Sequence, residues 1–184
     1  MPEARLLSLE GRTALVTGAS GAMGGAISRS LARRGANLVL SGRNEKRLER
    51  TADSARALGI RVVVVARDLT EVGAVEILAE RAEELFGGVD LLVHALGTFH
   101  SGEIAETAAP ELEGQLAVNL RVPWALTRRL LPGVKERRGE IVFVNSTVGL
   151  GARGGVGAYA ASKQALRALA DSLRDELGRL EPAE

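Results

Sequence analysis

The chain has 184 residues, with 24 Lys and Arg against 23 Asp and Glu, a formal net charge of +1. That balance gives no electrostatic footing for nucleic acid or an anionic membrane surface. Hydrophobic residues at 46% supply enough apolar side chain for one sizeable core, and the absence of cysteine excludes disulfides and thiolate chemistry.

One domain over residues 1–184 is the default for this length. The first residues carry an acid and lack a long apolar run, so they do not read as a secretory signal. Nothing approaches a membrane span, and the expected location is the cytoplasm.

Thr13–Thr17 reads as a short buried strand, followed by a glycine loop from Gly18 to Gly24 and a helix over 22–34. Glycines after a first strand let backbone N–H groups approach a phosphate at the helix N-terminus, where the dipole favours negative charge. Asn37–Ser41 is the second strand, and it ends at Gly42-Arg43. In dinucleotide folds an acid here accepts hydrogen bonds from the adenosine ribose. An arginine suits a 2′-phosphate, so Arg43 favours NADP(H) over NAD(H).

A helix over 45–58 is punctuated by Gly59, and the strand 61–66 ends at Arg67-Asp68-Leu69. Asp68 is placed to cap the next helix or to contact adenine, with Thr70 as the expected N-cap of a helix running to about Phe86. Asp90–His94 begins the fourth strand and its exit turn, which runs to Gly97. His94 lies in apolar sequence and is expected to pack, and His100 falls in an exposed loop.

Pro110 opens a helix expected over 111–131 and ended by Pro132-Gly133. Asn119 in its middle is poorly placed on propensity, which reads either as a surface position or as a polar group needed inside. Trp124 is expected in the core or an interface. Ile141–Val144 has the β-branched look of a strand buried on both faces, ending at Asn145-Ser146. The final helix starts near Val156, and on it Tyr159 and Lys163 stand one turn apart on the same side. A serine at the carboxyl end of a strand, a tyrosine and a nearby ammonium suit proton transfer to a carbonyl coupled to hydride transfer. Five βα repeats with short connections argue for a parallel, doubly wound sheet.

Thr17-Gly18-Ala19-Ser20 with Gly24, Asp68-Leu69, Asn119, Ser146 and Tyr159-x-x-x-Lys163, with thirteen residues from Ser146 to Tyr159, resemble the short-chain dehydrogenase/reductase family over essentially the whole chain. The resemblance implies a Rossmann-like α/β fold, a three-layer α/β/α sandwich with a mostly parallel sheet. It implies Tyr159 as catalytic acid/base and Ser146 as the group orienting the substrate carbonyl. Lys163 would bind the nicotinamide ribose and lower the Tyr159 pKa, and Asn119 would hold a water linking Lys163 to solvent. Cofactor contacts are expected at Gly18, Ser20, Gly21, Met23, Gly24, Arg43, Asp68, Leu69, Ala95, Gly97, Tyr159 and Lys163. The resemblance also implies a homodimer or homotetramer built through the helices near 111–131 and 156–179, and no metal.

Three departures stand out. Ala22 replaces the middle glycine of the phosphate loop. His94-Ala95-Leu96-Gly97 replaces Asn-Asn-Ala-Gly and loses two polar anchors. The family's last two strands and substrate lid have no counterpart here, so the last strand is expected to present an apolar edge that residues missing from this chain or a partner subunit would cover. Two functions stay open: an NADP(H)-dependent oxidoreductase interconverting a ketone, possibly a 3-oxoacyl thioester, and a secondary alcohol; or a dinucleotide-binding or scaffold protein with little turnover, including an inactive fragment.

Overall fold

The computed structural model of the chain describes residues 8–178. They divide into two compact units. One comprises the residues up to Leu96 together with Ala125–Val142, the other Gly97–Trp124 and the residues from Phe143 on.

The first unit is built on β1 (Thr13–Thr17), β2 (Asn37–Gly42), β3 (Val62–Ala66) and β4 (Leu91–His94). Pairing is parallel, with Thr13 opposite Asn37, Leu38 opposite Val62 and Ala14 opposite Leu91. A fifth strand, β5 (Glu140–Phe143), completes the order β3-β2-β1-β4-β5. The winding direction reverses at β1, so the gap between the ends of β1 and β4 is the topological switch point.

Every residue of β1 is buried, as is β2 after its first residue, because parallel strands inside a doubly wound sheet are covered on both faces. β5 departs from that expectation. Its residues alternate between exposed and half-buried, and Val142 is an exposed apolar side chain. The cause is position: β5 lies at the end of the strand order.

Helices α1 (Ala22–Arg33) and α2 (Glu45–Arg56) pack beside each other against these strands. Leu31 and Ala32 from α1 and Leu48, Ala52 and Ala55 from α2 meet Val16, Leu38 and Leu40 of the sheet. Burying each leucine contributes roughly 1.5–3 kcal/mol. The Asn44 side chain caps α2 by accepting from Arg47 N, with Glu45 favourably placed in the first turn.

Helix α3 covers Ala74–Phe86. The expectation that Thr70 caps it is corrected: Gly73, in a left-handed conformation, is the N-cap. Asp68 accepts from both the N–H and the hydroxyl of Thr70 (2.9 and 2.7 Å), and this side-chain turn moves the N-cap from Thr70 to Gly73.

Asp90 anchors the amino ends of the strands. Its buried carboxylate accepts from Thr13 N at 2.8 Å and from Arg12 Nη1 at 2.9 Å, with Arg137 Nη1 at 3.6 Å.

In the second unit α4 (Ala109–Leu116) has Pro110 in its first turn and runs into a π-helical turn, Ala117–Arg121. Then α5 (Val122–Glu136) begins, of which the residues from Ala125 on belong to the first unit. The helix expected to stop at Pro132-Gly133 continues through both to Glu136, although Pro132 removes one N–H donor and crowds the carbonyl one turn before it. Trp124 is half-exposed, so it is not a core residue. A 3₁₀ turn at Thr147–Gly149 precedes α6, Gly157–Gly178. Val148, Val156 and Ala160 form a small core against Tyr159.

Candidate active site

Asn119 lies in the π turn and is fully buried, 0% exposed. Its Oδ1 accepts from Thr98 N at 2.9 Å, and its Nδ2 donates to Thr98 O and to Ser162 Oγ, both at 2.9 Å. Ser162 Oγ donates in turn to the Tyr159 carbonyl at 2.8 Å. Of the two sequence readings for this asparagine, the interior one holds. Wide turns with i→i+5 bonds, here Val122 N to Ala117 O, concentrate at functional sites because they shift the carbonyls and side chains that follow.

One turn earlier, the buried Gln115 accepts from His100 N through Oε1 at 3.1 Å. Between the two held residues, the Phe99 ring meets the Tyr159 ring edge to face, with centroids 4.9 Å apart at 90°.

Tyr159 and Lys163 share one side of α6, as their spacing predicts. Lys163 is only 4% exposed, and burial holds its ammonium below the usual lysine range. Its Nζ donates to Val144 O at 3.1 Å. The neighbouring Asn145 donates through Nδ2 to Lys163 O at 3.2 Å and accepts from Ser146 N through Oδ1 at 2.8 Å. A Cβ on Gly97 would stand 3.5 Å from Asn119 Oδ1 and 3.8 Å from Lys163 Nζ. Gly97, Asn119 and Lys163 therefore converge, while Ser146 is joined to Lys163 through Asn145.

The nucleotide-loop residues belong to the first unit. Gly18 has φ +68°, and a Cβ there would sit 2.7 Å from Ala95 O and Leu96 N. A Cβ on Gly24 would collide with the Gly18 carbonyl. These glycines keep the β1 exit tight against the β4 exit. Gly21 is the N-cap of α1, which has neither a side-chain cap nor an acid in its first turn. Such a helix start suits a pyrophosphate. Ala22 is the exposed first residue of α1, so its methyl group does not crowd the loop. Ser20 is half-buried, its hydroxyl beside Gly42, and Met23 is exposed.

Arg43 has a side chain 75% exposed, with Nη1 3.8 Å from Asp68 Oδ2. Thr70, by its hydroxyl and then its N–H, holds the Asp68 carboxyl below the usual range, and Arg43 adds to this. The long ion pair leaves the planar guanidinium fork accessible to a phosphate. Leu69 is buried, so any contact it makes with a ligand would come from its main chain.

The two asparagines absent from the β4 exit are replaced by other anchors. Thr17 Oγ1 donates to Val93 O and accepts from Leu96 N, at 3.4 and 3.3 Å. His94 is buried as expected, its Nε2 2.9 Å from Thr127 Oγ1, and burial pushes its pKa down to about 3. It stays neutral and structural.

Sequence reasoning missed Thr98, Phe99, Gln115, Val144, Asn145 and Ser162. Two of them left a signal. Gln115 is four residues before Asn119, hence on the same helix face, and Asn145 directly precedes Ser146.

This chain belongs to the short-chain dehydrogenase/reductase family: the family model described as short chain dehydrogenase matches residues 12–181. It is similar to the oxidoreductase UcpA of Salmonella typhimurium, at 35% identity over 91% of this chain and 64% of that protein. Nodulation protein G of Rhizobium meliloti is 38% identical over 94% of this chain and 69% of its own length. Among solved structures, 3-oxoacyl (acyl-carrier-protein) reductase from Agrobacterium tumefaciens with NADP bound superposes with a TM-score of 0.85 at 36% identity, covering 91% of this chain and 66% of that one. An alcohol dehydrogenase from Thermococcus sibiricus complexed with 5-hydroxy-NADP gives 0.86 at 30% identity, covering 90% and 71%. The chain thus spans about two thirds of the length of these relatives. Among the described residues no helix is long and apolar enough to cross a membrane.

Proposed function

We propose that the protein is an NADP(H)-dependent oxidoreductase that interconverts a ketone and a secondary alcohol. The observation that carries this reading is the convergence of Gly97, Asn119 and Lys163, with Tyr159 one turn from the lysine on α6. A buried lysine beside a buried asparagine is costly to fold around, and a catalytic role accounts for its retention.

NADPH, when bound, supplies the hydride to the carbonyl carbon. Tyr159 gives its hydroxyl proton to the carbonyl oxygen, and the Ser146 hydroxyl donates a hydrogen bond that orients that oxygen. Lys163 holds the nicotinamide ribose. The Asn119 amide is committed to Thr98 and Ser162. Holding a water for proton resupply therefore falls to the Asn119 main-chain carbonyl. Gly18, Ser20, Gly21, Met23 and Gly24 carry the pyrophosphate end, with Ala95 and Gly97 contributing main chain. Asp68 and Leu69 border the adenine, and Arg43 meets the 2′-phosphate. A 3-oxoacyl thioester is the first substrate class to try, given the similarity to the A. tumefaciens reductase and to ketoacyl reductase HetN of Nostoc.

The test is fluorescence titration with NADPH and with NADH, followed by turnover of a 3-oxoacyl thioester and simple ketones. Tighter NADPH binding with turnover supports the reading. NADPH binding with no turnover of any carbonyl would instead assign a dinucleotide-binding or scaffold role.

The same reading carries a homodimer or homotetramer through the helices near 111–131 and 156–179, of which residue 179 lies outside the described residues. Ala161 and Ala168 lie exposed on α6, which gives a second copy small side chains to approach closely. Sedimentation at micromolar concentration should give two or four copies; a monomer would contradict it.

A further inference from the structure

We propose that Gln115 is a positioning residue for Tyr159: its amide fixes the main chain at His100 and so seats the Phe99 ring against the Tyr159 ring. The inference rests on the reading of Tyr159 as proton donor.

Gln115 is 2% exposed, and its Nε2 has no hydrogen-bond partner among the described residues. A buried amide satisfied on one side only is less stable than an apolar side chain of the same size, because its N–H groups are desolvated without compensation. Packing therefore does not explain a glutamine here. What the side chain does hold is His100 N, through Oε1 at 3.1 Å.

That bond belongs to a clamp. Asn119, one turn on and on the same helix face, grips both the N–H and the C=O of Thr98. The two amides thus hold the chain on either side of Phe99. A third tie closes the segment: Gly102 N donates to Gly155 O at 2.9 Å, and Gly102 forms a bridge with Val156, three residues before Tyr159. Phe99 itself is 59% exposed. A phenylalanine that exposed, on an untied loop, would sample several rotamers. Here the tied main chain holds its ring perpendicular to Tyr159, the arrangement that ring quadrupoles favour. Proton donation depends on where the phenol points, and small displacements of a donor carry large rate penalties.

Tyr159 is the chain's single tyrosine, so its ring resonances are identifiable in protein made with isotope-labelled tyrosine. Four proteins are compared: wild type, Phe99→Leu, Gln115→Met and Gln115→Glu. Phe99→Leu should remove the ring-current shift on Tyr159. Gln115→Met, which loses the acceptor at similar size, should move the Tyr159 resonances toward their Phe99→Leu positions. Gln115→Glu keeps an acceptor oxygen and should stay near wild type. With NADPH and a reducible ketone, Gln115→Met should lower kcat by roughly tenfold with KM for NADPH unchanged, and Gln115→Glu should recover most of it. The inference is overturned if Gln115→Met leaves the Tyr159 resonances in place. It is overturned equally if Gln115→Glu shifts them as far as Gln115→Met does, or if Phe99→Leu does not move them. Failure of the wild type to reduce any ketone would sink the proposed reaction, while the resonances would still decide the positioning role.

Discussion

The side-chain amide of Asn145 donates to the main-chain carbonyl of Lys163 at 3.2 Å, while the same amide accepts from the N–H of Ser146. One asparagine therefore links the residue proposed to orient the carbonyl with the helix turn that carries the lysine. Asn145→Ala should cost about 0.5–1.5 kcal/mol of stability for the lost bonds. It should also lower kcat on a ketone by roughly tenfold, with KM for NADPH little changed. Urea unfolding and steady-state kinetics on the same preparation check both halves; an unchanged kcat would remove Asn145 from the positioning of Ser146 and Lys163.

The proposed preference for NADPH rests on Arg43. Its loss should remove one or two charge-assisted hydrogen bonds to a 2′-phosphate, worth about 1.5–3 kcal/mol. Arg43→Ala is expected to weaken NADPH binding by roughly 10- to 100-fold and to leave NADH binding nearly unchanged. The difference should shrink as salt rises, since Arg43 is exposed. Equal weakening for both nucleotides would place Arg43 away from the 2′ position.

His94 makes a prediction about acid. Its pKa in the folded chain is about 3, against an ordinary value of 6.5. Below about pH 6.5 the unfolded chain takes up a proton that the folded chain refuses, so the contribution of this group to stability is present above 6.5 and is lost as pH falls toward 3. The loss approaches about 1.4 kcal/mol per pH unit in that window. His94→Asn, which offers Thr127 a polar partner without titrating, should be less sensitive between pH 6.5 and 4. Urea midpoints across that range compare the two; parallel slopes would mean that His94 is not held neutral.

Asp90 ties Arg12 and Thr13 through one buried carboxylate. Replacing it with alanine leaves the buried Thr13 N–H without its acceptor and Arg12 without its partner. The expected loss is about 2–3 kcal/mol, read as a lower urea midpoint with an unchanged slope. A loss below about half a kcal/mol would show that Arg12 and Thr13 find other partners.

Much of this architecture was legible in the sequence, and the exceptions share a cause. β1 was readable because a parallel strand covered on both faces is uncharged, with an apolar centre at Ala14–Val16 between two threonines. His94 was readable as packed because apolar residues surround it. β5 has the same apolar look, yet its edge position leaves Val142 exposed, and strand order is not encoded in strand composition. The start of α3 moved because the Asp68 carboxylate takes the Thr70 N–H and hydroxyl for a turn, a competition between two good cappers that composition does not rank. Pro132 punctuated a helix that loses one bond and continues. At the candidate site, Ser146, Tyr159 and Lys163 stood out by their spacing, and it was the resemblance to the family that named Asn119 with them. The supports around them, Gln115 to His100 and Asn145 to Lys163, were not, since those contacts depend on how loops return to helices.

The most direct test of the account replaces the Tyr159 hydroxyl alone. Turnover of a ketone by the chain is followed through the loss of NADPH absorbance, for wild type and for Tyr159→Phe, alongside NADPH binding to each. With Tyr159 as proton donor, the variant should bind NADPH within a factor of about two of wild type and lose on the order of 10²–10⁴ in kcat. Equal turnover by the two proteins would contradict the central claim and remove Tyr159 from the chemistry.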